Sequence, residues 1–209
     1  MIDLYSGTPG SGKSLHVAKD IRERLERKGT VTIGNFYINT SAVKCKKGRG
    51  YYLYVDNSRL TPQRMVDFAR ALAKHKGRRL HEDELWFIID EAQLLFNARE
   101  WQRIGRGGWL SFFTQHRHYG FHVVLIAQFD RMLDRQIRGV IENEYIHRKI
   151  SRAGKLGAFL GFVSGGNLFY YSKKWYPVNE TVESSFFVGN KRLYEIYDSY
   201  NHFDQFKSS

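Results

Sequence analysis

Residues 7–14 of this 209-residue chain are Gly7, Thr8, Pro9, Gly10, Ser11, Gly12, Lys13 and Ser14. The spacing is G-x-x-x-x-G-K-[ST], whose backbone N–H groups cradle a polyphosphate. Gly7, Gly10 and Gly12 open backbone angles that other residues avoid and let the chain approach the phosphates closely. The Lys13 ammonium is placed for the β- and γ-phosphates, and the Ser14 hydroxyl for Mg²⁺. Thr8, Pro9, Ser11 and Leu15 complete the set expected against the nucleotide. The ligands this loop selects are ATP and Mg²⁺.

Three further groups supply what phosphoryl transfer to water needs. Asp90 closes an apolar run and suits a second Mg²⁺ contact, direct or through water. Glu91 follows it, a carboxylate positioned to polarise an attacking water. Gln128 ends another apolar run and carries both donors and an acceptor for the γ-phosphate and that water. Charge developing on the transferred group is stabilised by a guanidinium, often from a neighbouring subunit. Arg117, Arg131, Arg135 and Arg138 are the candidates, and Arg135 and Arg138 lie three apart on one short helix. His116, His118 and His122 are close in sequence but lack a further ligand of matching spacing, so no metal besides Mg²⁺ is expected. No Ser-His-Asp order or nucleophile elbow occurs.

These groups need a scaffold that brings them to one edge. Residues 1–5 form a short apolar strand, and 14–28 a helix with Leu15, Ala18, Ile21 and Leu25 on one stripe and Gly29 as its stop. Val31 and Ile33 mark a short strand at 30–35, and 51–55 another. Thr61 and Pro62 cap a helix reaching Lys76, with Val66, Ala69, Leu72 and Ala73 inward and Gly77 beyond. The runs 85–90 and 123–127 read as central parallel strands covered on both faces. A helix is expected at 109–118, broken at Gly120, and a short one at 130–139. Beyond residue 143 the texture becomes aromatic and glycine-punctuated, with strands expected at 144–150, 158–163, 168–171 and 185–188. Gly165, Gly166 and Asn167 read as a hairpin turn between two of them. The pattern is an α/β fold: a mainly parallel sheet flanked by helices over 1–143, and a β-rich extension packed on it over 144–209. The phosphate loop, Asp90 with Glu91, and Gln128 all fall at the carboxyl ends of strands, where such sheets bind ligands.

Lys and Arg total 33 against 21 Asp and Glu, a formal charge of +12, which favours polyanionic partners. Basic loops at 44–49 and 74–79 could track a nucleic-acid backbone, with Tyr51, Tyr52 and Tyr54 stacking on bases. The single cysteine, Cys45, excludes an internal disulfide and fits a reducing compartment. Residues 156–172 carry no formal charge, but the glycines and polar residues among them argue against a bilayer span, and neither a transmembrane segment nor a secretory signal is expected.

The stretches 7–14, 86–92, 112–118, 124–128 and 134–138 with Glu142, and the closing Tyr194–Tyr200 segment, together resemble the N-terminal ATPase domain of the zonula occludens toxin (Zot) family over nearly the whole chain. The discriminating piece is His116, Arg117 and His118 ahead of the Gln128-terminated strand. The resemblance implies a RecA-like P-loop NTPase akin to the FtsK/HerA DNA-pumping ATPases. It implies ATP hydrolysis driving filamentous-phage or mobile-element assembly and export by a ring, expected to be a hexamer, on single-stranded phage or plasmid DNA. The expected setting is cytoplasmic, at the inner membrane face beside membrane-embedded assembly proteins. Lys13, Ser14, Asp90, Glu91, Gln128 and one of Arg135 and Arg138 take the ATPase roles. Two other readings share the loop: a non-catalytic nucleotide-gated scaffold, and a small-molecule or nucleotide kinase.

Overall fold

A computed structural model describes residues 1–44, 50–97, 106–152 and 154–197. Cys45, the basic loop from 45 to 49 and the closing residues from 198 onward lie outside the described residues. Among the described residues eight strands form one sheet: β1 (Ile2–Ser6), β2 (Val31–Gly34), β3 (Tyr51–Tyr54), β4 (Leu85–Ile89), β5 (Phe121–Ile126), β6 (Asn143–Lys149), β7 (Leu168–Trp175) and β8 (Glu180–Val188). Their order is β3-β2-β4-β5-β1-β6-β7-β8. The first six in that order are mutually parallel, and β7 and β8 continue antiparallel. β1 is central, with Leu4 opposite Leu125 on one side and Glu144 on the other.

Among the described residues six helices cover the faces: α1 (Lys13–Glu23), α2 (Pro62–Lys76), α3 (Arg106–Gln115), α4 (Arg135–Arg138), α5 (Gly154–Val163) and α6 (Lys191–Ile196). The unbroken apolar run of β4 is explained by burial on two sides. Leu85, Phe87 and Ile89 point to a core shared with Met65 and Ala69 of α2, Trp109, Phe112 and Phe113 of α3 and Ile137 of α4. Trp86 and Ile88 point the other way, to Ala18 and Ile21 of α1 and Leu193 and Ile196 of α6. This is the two-face alternation that a period of two produces.

The boundaries follow local chemistry. The Thr61 Oγ1 accepts from the Arg64 N–H at 3.3 Å, a cap that stabilises α2 by ~1 kcal/mol, and Gly77 ends it at φ 64°. α1 runs on as one π-helical turn, Arg24–Lys28, before Gly29 at φ 67°. The expected helix at 109–118 is α3 followed by a tighter turn, His116–Tyr119. The expected helix at 130–139 divides into a turn at Asp130–Met132 and α4, which Asp134 caps by accepting from the Gln136 N–H at 2.8 Å.

One element differs from the reading of the sequence. The expected strand at 158–163 is part of helix α5. An apolar run of this length carries no period that separates strand from helix. Glycines flank it: Gly154 precedes it at φ 69°, and Gly165 and Gly166 end it at φ 62° and 76°. Here those glycines stop a helix instead of turning a hairpin. The hairpin lies later, where Tyr176–Val178 and Asn179 link β7 to β8, both longer than expected.

Candidate nucleotide site

β1 delivers the chain into the phosphate loop, and α1 leaves it. The Gly7 N–H donates to the Gln128 carbonyl at 3.1 Å, so the loop's entry is fixed to the end of β5, where Gln128 is half-buried. Gly7 sits at φ 143° and Gly12 at φ 99°. A Cβ at Gly7 would lie 2.6 Å from the His147 carbonyl oxygen, and one at Gly12 2.5 Å from the Phe169 ring. Both positions exclude a side chain on space as well as angle. Thr8, Pro9 and Gly10 are exposed at the tip, while Ser11, Gly12 and Leu15 are buried and Ser14 is half-buried.

The Lys13 ammonium donates to the Gly7 carbonyl and, at 3.3 Å, to that of Thr8. Burial pulls its pKa below the usual lysine value, opposed by the negative charges of Asp90 and Glu91. The two acids thus act on Lys13 although β5 stands between their strand and β1.

Asp90 is held from every side. Its Oδ1 accepts from the Glu91 N–H at 2.9 Å, and its Oδ2 accepts from the Tyr197 hydroxyl. Its N–H donates to Asn35 Oδ1 at 2.7 Å, and its carbonyl accepts from Asn35 Nδ2 at 2.9 Å. That amide also reaches Asn57 Oδ1 at 2.8 Å. Glu91 takes the left-handed conformation at φ 48°, uncommon for a residue with a side chain and typical of functional turns. Its exposed carboxylate accepts from Gln93 Nε2, and the Gln93 Oε1 is buried with no partner among the described residues. A serine hydroxyl and an aspartate carboxylate are hard oxygen donors, and each Asp90 oxygen keeps a free lone pair. The set suits Mg²⁺, which usually retains waters and phosphate oxygens in its shell.

Arg135 and Arg138 do not join this group. Arg135 is exposed, and Arg138 is half-buried with its Nε unpartnered among the described residues. Their helix packs on the face opposite α1. Arg131 is exposed in the turn before that helix. Arg117 pairs with Glu142, whose Oε1 accepts from the Ile2 N–H at 3.1 Å, at the opposite end of β1 from the loop. Two of the three clustered histidines are structural. His116 bonds the Phe113 carbonyl at 2.6 Å, and His122 bridges Asp3 at 2.9 Å and Asp83 at 3.1 Å. Of the expected stacking tyrosines, Tyr52 is committed to the Phe36 carbonyl at 2.6 Å, and Tyr54 stacks on Tyr37 with ring centres 3.9 Å apart. The expected basic loop at 74–79 begins as the last turn of α2, and its Lys76 and Arg78 share Glu84, whose carboxyl Arg78 holds at about 2.

Sequence reasoning missed several contributors. Asn35 and Tyr197 fix Asp90. Arg152, in the turn after β6, donates from Nη1 to the Pro9 carbonyl at 3.0 Å. Beneath the loop, His16 Nδ1 and His147 Nε2 are 2.8 Å apart, and His147 Nδ1 is 3.1 Å from the Ser6 carbonyl. The carbonyl requires a proton on His147 Nδ1, so His16 Nδ1 must be the donor to His147. Burial pushes both imidazoles down to about 3, so they form a neutral floor. The only sequence signal for Arg152 was its place just after a strand; none pointed to the others.

The family described as Zonular occludens toxin (Zot) matches residues 1–160. Among solved structures, the N-terminal domain of zonular occludens toxin from Neisseria meningitidis is similar at TM-score 0.55 and 20% identity, covering 94% of this chain and 98% of that one. The genome packaging NTPase B204 from Sulfolobus turreted icosahedral virus 2, in complex with ATP-gammaS, is similar at TM-score 0.54 and 13% identity, covering 88% and 95%. EssC (ATPases 2 and 3) from Geobacillus thermodenitrificans is similar at TM-score 0.51 and 10% identity, covering 99% of this chain and 43% of that one. Comparison with curated protein sequences finds no match. These similarities bear out the expected family and the RecA-like P-loop ATPase fold.

Proposed function

This chain belongs to the Zot family, and from that premise we propose that it hydrolyses ATP as a motor subunit in assembly and export of filamentous phage or mobile-element DNA. The observation that carries the reading is that the Gly7–Ser14 loop after β1 and the Asp90–Glu91 pair after β4 leave the same edge of one parallel sheet. On loading, Lys13 exchanges the carbonyls of Gly7 and Thr8 for β- and γ-phosphate oxygens, alongside the backbone N–H groups of the loop. Ser14 and Asp90 are the residues that would hold Mg²⁺, which neutralises phosphate charge when bound. Glu91 accepts the proton of the attacking water as its oxygen bonds the γ-phosphorus. The bond from that phosphorus to the β–γ bridging oxygen breaks, releasing ADP. Gln128 orients the water and the γ-phosphate.

Arg135 and Arg138 lie on the helix facing away from α1, which favours a role in a neighbouring subunit's site and hence a ring, for which we propose a hexamer. B204 is named as a genome packaging NTPase, and DNA, single-stranded in a filamentous system, is the cargo we propose here. Among the described residues no helix is long and apolar enough to cross a membrane. We place the ring at the inner membrane face through membrane-embedded partners.

The test is phosphate release from Mg²⁺-ATP with no acceptor present. The wild-type chain should release phosphate, Lys13→Ala should bind no nucleotide, and Glu91→Gln should bind it without turnover. Wild-type turnover in Glu91→Gln would remove Glu91 from the mechanism. Release only on adding a small-molecule acceptor would point to a kinase.

A further inference from the structure

We propose that Arg152 is a nucleotide-binding residue acting in cis: its guanidinium is stationed on the tip of its own phosphate loop and transfers to the polyphosphate when the nucleotide enters. The inference rests on the reading of that loop as the ATP site and adds a phosphate contact to it.

The placement follows from topology. β6 is the parallel neighbour of β1, so the turn after it, Ile150–Arg152, emerges at the same sheet edge as the loop. Arg152 Nη1 donates to the Pro9 carbonyl at 3.0 Å. Its Nη2 lies 3.4 Å from where a Cβ on Gly10 would be. The fork therefore rests beside the glycine at the tip, at ordinary contact distance. Gly10 holds φ 72°, an angle that shapes the tip against which the fork lies.

Other arginines of the fold show what a structural guanidinium looks like. Arg117 has Glu142, Arg78 has Glu84, and Arg192 has Glu26. Arg152 is exposed and has no carboxylate partner among the described residues; its protein acceptor there is one neutral carbonyl. Among the described residues, four of its five N–H donors remain available for a planar, multiply charged acceptor. Phosphate offers the guanidinium opposite charge and two-pronged geometry where Pro9 offers one neutral oxygen, which favours exchange of Pro9 for phosphate. The side chain needs only to slide along the loop it already touches. Because it serves its own subunit, Arg152 is distinct in kind from Arg135 and Arg138.

The experiment titrates ribose-labelled fluorescent ATP and ADP into the full chain as wild type, Arg152→Ala, Arg152→Lys and Lys13→Ala, with melting of each nucleotide-free protein measured alongside. Loss of one charge-assisted contact predicts at least about a ten-fold weaker dissociation constant for Arg152→Ala. It also predicts a shallower salt dependence, a raised KM with kcat little changed, partial recovery in Arg152→Lys, and unchanged nucleotide-free melting. Affinities within two-fold of wild type in Arg152→Ala, while Lys13→Ala loses binding, overturn the inference and leave the ATP site intact. An affinity loss that tracks lower nucleotide-free melting and is not recovered by Arg152→Lys also overturns it, making Arg152 a loop clamp. A wild-type chain that binds neither nucleotide overturns both readings.

Discussion

Asn35 is the residue whose loss should do most to Asp90 without touching the phosphate loop. It stands one position past β2, beyond the last backbone pair, Gly34 with Ile88. There its side-chain amide continues the ladder. The amide accepts from the Asp90 N–H at 2.7 Å and donates to the Asp90 carbonyl at 2.9 Å and to Asn57 Oδ1 at 2.8 Å. Asn35→Ala removes three bonds, each contributing ~1 kcal/mol net, so stability should fall by about 3 kcal/mol. For a chain of this size that is about 6–12 °C in Tm. Asn35→Asp keeps the acceptor for the Asp90 N–H but turns an oxygen toward two acceptors. It should be at least as damaging at pH 7 and recover in part as the new carboxyl protonates. Urea unfolding with an unchanged m-value reads the stability. Nucleotide titration and phosphate release read the site: binding should weaken by less than about three-fold and turnover fall by about ten-fold or more, a loss of roughly 1.4 kcal/mol in the transition state. Asn35→Ala within about 0.5 kcal/mol of wild type, with full turnover, would refute the claim that this amide positions Asp90.

Tyr197→Phe removes the hydroxyl on Asp90 Oδ2 and should lower stability by about 1.5–3 kcal/mol, as for a bond to a charged acceptor. The deficit should shrink when Mg²⁺-ATP is present, and an equal deficit in both conditions counts against Asp90 as a metal contact. Burial alone would push His122 down, but the bonds to Asp3 and Asp83 outweigh it and raise its pKa. Its stabilisation is therefore complete below about pH 6.5 and lost as pH rises through the higher folded value. His122→Gln should cost about 3 kcal/mol at pH 6, as for breaking a buried pair, and the gap to wild type should narrow by pH 8.5; a constant gap defeats the assignment. Arg135→Ala and Arg138→Ala should each lower ATPase activity, and mixing the sensitive variant with Lys13→Ala subunits should restore part of it. No recovery in any mixture would argue against a finger acting across subunits.

How much was legible depended on whether a residue's reason lay in its neighbours. Gly7, Gly12 and Lys13 serve one loop, so their spacing announces them. Asp90 and Glu91 follow an apolar strand that the run 85–89 spells out. The two-sided core of β4 was legible for the same reason. Asn35, Tyr197 and Arg152 act on Asp90 and Pro9 across separations of 55, 107 and 143 residues, and nothing near them in sequence marks the partner. His16 lies off the apolar stripe of α1 and reads as a polar helix residue until His147 arrives from β6. The misread at 158–163 has another cause. Its apolar residues fit either state, and two glycines at left-handed angles serve a hairpin turn as well as a helix end, so nothing local separates the strand from helix α5.

The family match ends at residue 160, yet two contacts that shape the site come from beyond it. Phe169 of β7 occupies the space against Gly12, so α1 can begin there only with a glycine. Tyr197, one residue past α6, holds Asp90 while its ring packs on Phe36 at 4.5 Å between centroids. The later strands therefore act on the machinery from two directions: β7 closes the loop's flank, and the chain after α6 reaches back to the acid at the end of β4. Movement of that returning segment would alter the Asp90 carboxylate before it altered the loop.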